Sequence, residues 1–205
     1  SINPNWPAAF YPAGLIMVSA WAFGRIAGPP GLERFKKLFT SAMIVGLAFV
    51  LITYSLPLIL VGTGYDGAPF DPTARLKGWQ NLADKIHNAR QTLPKPCRTF
   101  LLADRRQTAS ELAFYLPDHP RLFLCSQAQP RIFSQYDLWP GPLDKLGWDA
   151  LIINDKPGSC VSIYHQSFKS LIPLPRITAA KGQAGERAFE VYRANQLIRW
   201  PEKDF

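Results

Sequence analysis

Apolar and charged positions are sharply segregated along the chain. Residues 1–24 and 38–65 carry no charge, whereas charge is dense from Asp66 to Phe205. A membrane helix needs about 20 mostly apolar residues. "AAFYPAGLIMVSAWAFGRIA" (8–27) and "SAMIVGLAFVLITYSLPLILVG" (41–62) both meet that requirement. Pro12 and Pro57 are tolerated where neighbouring helices re-satisfy the backbone. Trp6, Tyr11 and Trp21 fall near the ends of the first run, where interfacial aromatics belong. The pattern predicts two transmembrane helices within residues 1–65, followed by a separate domain over 66–205.

In the charged stretch, apolar runs alternate with helix-period segments. "DPTARLKGWQNLADKIHNAR" reads as a helix capped by Asp71 with Pro72 at its first position. Leu76, Trp79, Leu82, Ala83 and Ile86 share its apolar face. "CRTFLLAD" (97–104), "RLFLC" (121–125) and "WDALIIND" (148–155) read as buried strands. "RRQTASELAFYL" reads as a helix whose start is ambiguous by one turn. "YHQSFKSL" (164–171) reads as a short helix, and "AFEVYRA" (188–194) as a final, antiparallel edge strand. Strands alternating with helices predict an α/β domain with a mainly parallel sheet.

Charge sets the orientation. The loop between the apolar runs holds Arg25, Arg34, Lys36 and Lys37 against Glu33 alone, and residues 1–7 and 63–70 hold no Lys or Arg. The positive-inside rule puts that loop in the cytoplasm and the large domain outside. In a bacterium with two membranes, the domain is then periplasmic. The net charge is +8, of which the loop supplies three units. The remaining five suit either an ordinary basic surface or attraction to anionic headgroups. No dense Lys/Arg run with interleaved aromatics points to nucleic acid. Cys97, Cys125 and Cys160 form no CxxC; three separate, half-buried thiols are expected, the alternative in an oxidising compartment being one disulfide and one thiol.

Candidate chemistry is sparse. "GTGYDG" (62–67) matches G-x-G-x-x-G formally, but it follows a membrane-length run and opens no helix, so it reads as a helix exit. His87, His119 and His165 lack metal-ligand spacing. Asp104, Arg105 and Arg106 lie at the carboxyl end of a strand before a helix, where open α/β sheets bind ligands and where arginines can hold a phosphate. A capped helix with solvated cations is the alternative. In "SQYDLWPGP" (134–142), Tyr136 and Trp139 offer flat faces and Asp137 an acceptor. That set suits a sugar ring, or equally plain packing against a neighbouring domain.

Taken in order, "NPNWPAAFYPAG", "DPTARLKGWQNLADKI", "LLADRRQTASELAFYLP", "SQYDLWPGP" and "WDALIIND" resemble bacterial membrane glycosyltransferases of family 39. These are the protein O-mannosyltransferase-like enzymes of GT-C type, which include relatives of the lipid A aminoarabinose transferase. The resemblance covers nearly the whole chain. It implies a many-helix membrane body in the bacterial inner membrane with a C-terminal extracytoplasmic domain. It also implies transfer of a sugar from a polyprenyl-phosphate carrier to an acceptor outside the cytoplasm. On that pattern residues 1–12 are an outer loop of a longer protein, and this chain is its C-terminal part, inactive in transfer by itself. Catalytic acids, and any divalent metal, would belong to a first outer loop upstream, so no catalytic residue or cofactor is expected here. Asn5 and Trp6 match the loop motif and would face the lipid-phosphate donor. Asp104, Arg105, Glu111, Tyr136, Asp137 and Trp139 match the domain motifs and are the candidate substrate contacts. The expected partners are the polyprenyl-phosphate sugar lipid, the remaining membrane body and the bilayer. The alternative is a membrane-anchored binding or regulatory module without catalysis.

Overall fold

The computed structural model describes residues 11–28, 31–129, 132–158 and 160–201, with the backbone alone at 32 and 33. The chain divides into two units, 1–58 and 59–205.

In the first unit, α1 spans Tyr11–Ala22 and α2 begins at Lys36, running on to Thr63. Helix α1 ends because Gly24 takes a left-handed φ of 71°. Arg25 N then bonds back to Ala20 O at 2.7 Å and Gly24 N to Trp21 O at 2.9 Å, a Schellman stop. Its 12 residues rise about 18 Å, short of the roughly 30 Å hydrocarbon core. Helix α2, with 28 residues, rises about 42 Å. Among the described residues it is the one helix long and apolar enough to cross a membrane. In place of the expected pair of spans there is one helix of spanning length and one shorter helix, and residues 8–10 of the first run lie outside the described set. Helix α2 is apolar all round, and Leu60 is its one buried residue. Such a surface needs an apolar environment. Thr53 and Thr63 turn their hydroxyls back onto Phe49 O and Ile59 O at 2.7 and 2.8 Å, which satisfies them without water.

The second unit is an α/β domain. Its strands are β1 (Thr99–Ala103), β2 (Leu122–Leu124), β3 (Asp149–Asn154), β4 (Phe168–Pro173), β5 (Ile177–Ala180) and β6 (Glu186–Leu197). The order is β2-β1-β3-β6, with β4 and β5 end to end along the far edge of β6. Strands β2, β1 and β3 are parallel; every pairing of β6 is antiparallel. The sheet is thus mixed rather than mainly parallel. The tight turn at 181–185, closed by Lys181 N to Gly185 O at 2.8 Å, joins β5 to β6 and fixes that pair as antiparallel. Two further expectations change with it. The second half of "YHQSFKSL" is strand β4, and its first residue ends the one-turn helix α5 (Val161–Tyr164). Strand β6 lies inside the sheet, not at its edge.

Strands β1 and β3 are buried at every position because both faces are covered. On one face, Leu101, Ala103, Leu151 and Ile153 pack against α3 (Trp79–Gln91) and α4 (Arg106–Tyr115). On the other, Phe100, Leu102 and Ile152 meet Phe123, Tyr164, Phe168 and Trp200. Helix α3 starts after Gly78, not at Pro72, and Leu76 stays exposed. Asp71 instead accepts from the N–H and the hydroxyl of Thr73 at 2.7 and 2.6 Å, which closes a turn. The "GTGYDG" stretch is a helix exit: Gly64 (φ 77°) ends α2 with Tyr65 N bonded to Leu60 O at 3.0 Å.

Three separate thiols are not found. Cys125 and Cys160 are joined in a disulfide beneath the second face, with Cα atoms 5.5 Å apart, and Cys97 is free and exposed. Their Cβ atoms meet because β2 ends beside α5, a tertiary fact that spacing does not carry. Closing a loop of sequence separation 35 restrains the unfolded chain by about 3–4 kcal/mol. Reductant, or Cys125→Ala with Cys160→Ala, is expected to lower stability by about that amount, read by thermal unfolding under tryptophan fluorescence. Coincident melting curves would contradict it.

Candidate functional site

Helix α4 connects β1 to β2 on one side, while β3 lies on the other side of β1. The switch point of the sheet therefore lies between β1 and β3, and the crevice opens next to it, at the carboxyl ends of β1 and β2. Strand β6 runs against β3 with Asn154 opposite Glu190, so Arg187 and the 181–185 turn stand above the same carboxyl ends. The turn is in contact with the segment following α2, through Ala184 N to Asp66 O at 2.7 Å. The chain therefore leaves α2 and joins the domain at the pole where the sheet presents its ligand-binding edge.

The crevice is built from β1, β2 and the loop after β2. A groove of about 350 Å³ is lined by Asp104, Arg105, Arg106, Gln107, Ser126, Ser134 and their neighbours. Asp104 accepts from Lys156 N at 2.9 Å, which ties the β1 end to the β3 end. Arg105 is paired with Asp155 at 2.6 Å. Beside them, Glu190 takes Arg176 at 2.7 Å and Gly158 N at 3.2 Å. The Arg176 hydrogen bond, with smaller help from Gly158 and Tyr192, holds its carboxyl below the usual range against the effect of burial. Asn154, fully buried at the end of β3, has no hydrogen-bond partner for either amide atom among the described residues. The groove thus offers two guanidinium groups and the first turn of α4, a set suited to an oxygen-rich or anionic ligand, while the hydroxyls of Ser126 and Ser134 donate to Asp137 and can only accept.

The remaining candidates sort by position. Asp137 has a packing role. Burial would raise its pKa, but bonds from Ser126 Oγ (2.5 Å), Phe133 N (3.0 Å) and Ser134 N (2.7 Å) hold it below the usual range. Tyr136 bonds through its hydroxyl to Ser110 Oγ at 3.0 Å and leans on Trp139 with ring centres 4.9 Å apart. Trp139 faces a different groove, of about 550 Å³, shared with Trp200, Leu138 and Leu143. Glu111 is half-buried on α4, and burial raises its pKa, opposed in part by Arg187. Asn5 and Trp6 lie outside the described residues. Asp104 and Arg105 are therefore the candidates that share the crevice, with Asp137 supporting its rim through Ser126 and Ser134. Sequence reasoning missed Asp155, Asn154 and Arg187. The first two end the strand "WDALIIND" and obey the same carboxyl-end rule as Asp104. Arg187 reaches the pole only through antiparallel pairing. No group of His, Cys, Asp and Glu able to hold a metal ion occurs among the described residues.

Comparison of the chain with protein-family models, with curated proteins and with solved structures finds no match.

Replacing Asp137 by alanine leaves Phe133 N and Ser134 N without their acceptor, a loss of about 2–4 kcal/mol. Its folded pKa is depressed, so its contribution is full above the unfolded value of about 4 and is lost as pH falls through the folded value. The stability gap between wild type and Asp137→Ala should be constant from pH 7 to 5 and shrink toward pH 3 in urea titrations. A gap that does not change with pH would contradict this role.

Proposed function

We propose that the chain is the C-terminal part of a polyprenyl-phosphate-dependent membrane glycosyltransferase, comprising a membrane helix and its extracytoplasmic α/β domain. The observation that carries this reading is the position of the crevice. Its arginines and hydroxyls stand at the pole where the chain arrives from α2, which is where a lipid-carried sugar phosphate would be presented. The order of motifs shared with family 39 enzymes supports it. So does the disulfide, which belongs to an oxidising compartment. In this reading Arg105 and Arg106 hold oxygen atoms of donor or acceptor, and Ser126 and Ser134, whose protons go to Asp137, accept from its hydroxyl groups. Bond-making groups belong to the membrane body.

A second reading, an anchored binding or regulatory module, is favoured by one feature. The ionic groups of the pole are closed on one another as Arg105–Asp155 and Arg176–Glu190 pairs, as on a surface that holds a partner. A transfer assay separates the two. Membranes carrying the protein from its full reading frame should move radiolabelled sugar from a polyprenyl-phosphate donor to an endogenous acceptor, and the 205-residue chain alone should not. Absence of transfer above control membranes would contradict the glycosyltransferase reading and leave the module.

A further inference from the structure

Three described cations at this pole are neutralised within the domain: Lys77 pairs with Asp66 and Asp71, Arg105 with Asp155, and Arg176 with Glu190. Three others that share one groove are not. Arg75, Lys181 and Arg187 line one open groove of about 310 Å³, and none of the three side chains makes an ion pair or hydrogen bond among the described residues. Asp71 also lines the groove, but its carboxylate is already committed to Gly67 N, Thr73 and Lys77. Arg187 is held in place by the Trp79 ring, 4.2 Å from guanidinium carbon to ring centre. Its partial burial works against its charge and is offset only in part by Asp155 and Glu111. The groove is therefore a preorganised concentration of positive charge without an internal counter-ion.

Its surroundings indicate the source of the anion. Tyr65 and Phe70 pair their rings at 5.4 Å. They are 55% and 66% exposed, and Leu76, beside Arg75, is 66% exposed. Exposed aromatic and aliphatic side chains next to cations, immediately after an apolar helix, match the composition of the headgroup layer of a bilayer. We propose that the groove formed by Arg75, Lys181 and Arg187 binds the phosphate of an anionic lipid headgroup. This rests on the reading of α2 as a membrane span. Contact with the leaflet would keep the crevice at the lipid surface.

The test uses the whole chain in neutral maltoside micelles, with calorimetric titration of short-chain phosphatidylglycerol, phosphatidylcholine and inorganic phosphate. Phosphatidylglycerol should bind and phosphatidylcholine should not. Each removed charge should weaken binding roughly five-fold, so Arg75→Gln with Lys181→Gln should weaken it about 25-fold. Lys95→Gln with Lys169→Gln, in the groove at the opposite end of the sheet, should leave it unchanged. Equal affinity of wild type and the Arg75→Gln, Lys181→Gln variant would overturn the site. Inorganic phosphate binding as tightly as the lipid would overturn the lipid as its source. Flotation of the chain with phosphatidylcholine vesicles tests α2 separately. Failure to float would remove the span reading and leave the phosphate titration to decide the groove.

Discussion

One carboxylate organises the segment that follows α2. Asp71 accepts from Gly67 N at 2.9 Å, from the N–H and hydroxyl of Thr73, and from Lys77 Nζ at 3.0 Å. These bonds hold its pKa well below the usual range although burial acts the other way. Lys77 in turn bridges to Asp66, and the two carboxylates keep its ammonium charged against the effect of burial. The segment so folded contacts the 181–185 turn so closely that a side chain at Gly67 would come within 2.7 Å of Lys181 O. Only glycine, here at φ 83°, fits. The path out of α2 is thereby registered on the β5–β6 hairpin, and through β6 on the carboxyl ends of β3 and β1.

That registration gives the sheet its functional sense. A parallel trio, β2-β1-β3, creates the crevice at its carboxyl ends. The antiparallel β6 returns Arg187 to the same pole, and the junction brings Arg75 there as well. Two kinds of positive group result. Arg105 is closed onto Asp155 and adjoins a polar groove. Arg75, Lys181 and Arg187 have no internal counter-ion and lie next to exposed apolar side chains. The first arrangement suits a ligand recognised by hydrogen bonds, the second a charged surface.

Legibility in the sequence follows burial. Strands β1 and β3 are covered on both faces, so "TFLLA" and "DALIIN" stand out as continuous apolar runs. Helix α2 stands out by length, and Asp104 and Arg105 by the carboxyl-end rule. Strand β4 did not stand out, because most of its residues are exposed or half-exposed and Phe168 alone is buried. The disulfide and Arg187 depend on pairings between residues distant in the chain. Asp137 reads from the sequence as either a sugar contact or a packing residue, because a carboxylate between aromatics has the same composition whether it faces a substrate or accepts from its own loop.

The central claim is that α2 anchors a domain lying outside the cytoplasm. Cys97, free and exposed, reports on it directly. A membrane-impermeant maleimide applied to intact spheroplasts should label Cys97, and Cys97→Ser should abolish the signal. Labelling that appears only after lysis would place the domain in the cytoplasm and contradict the account.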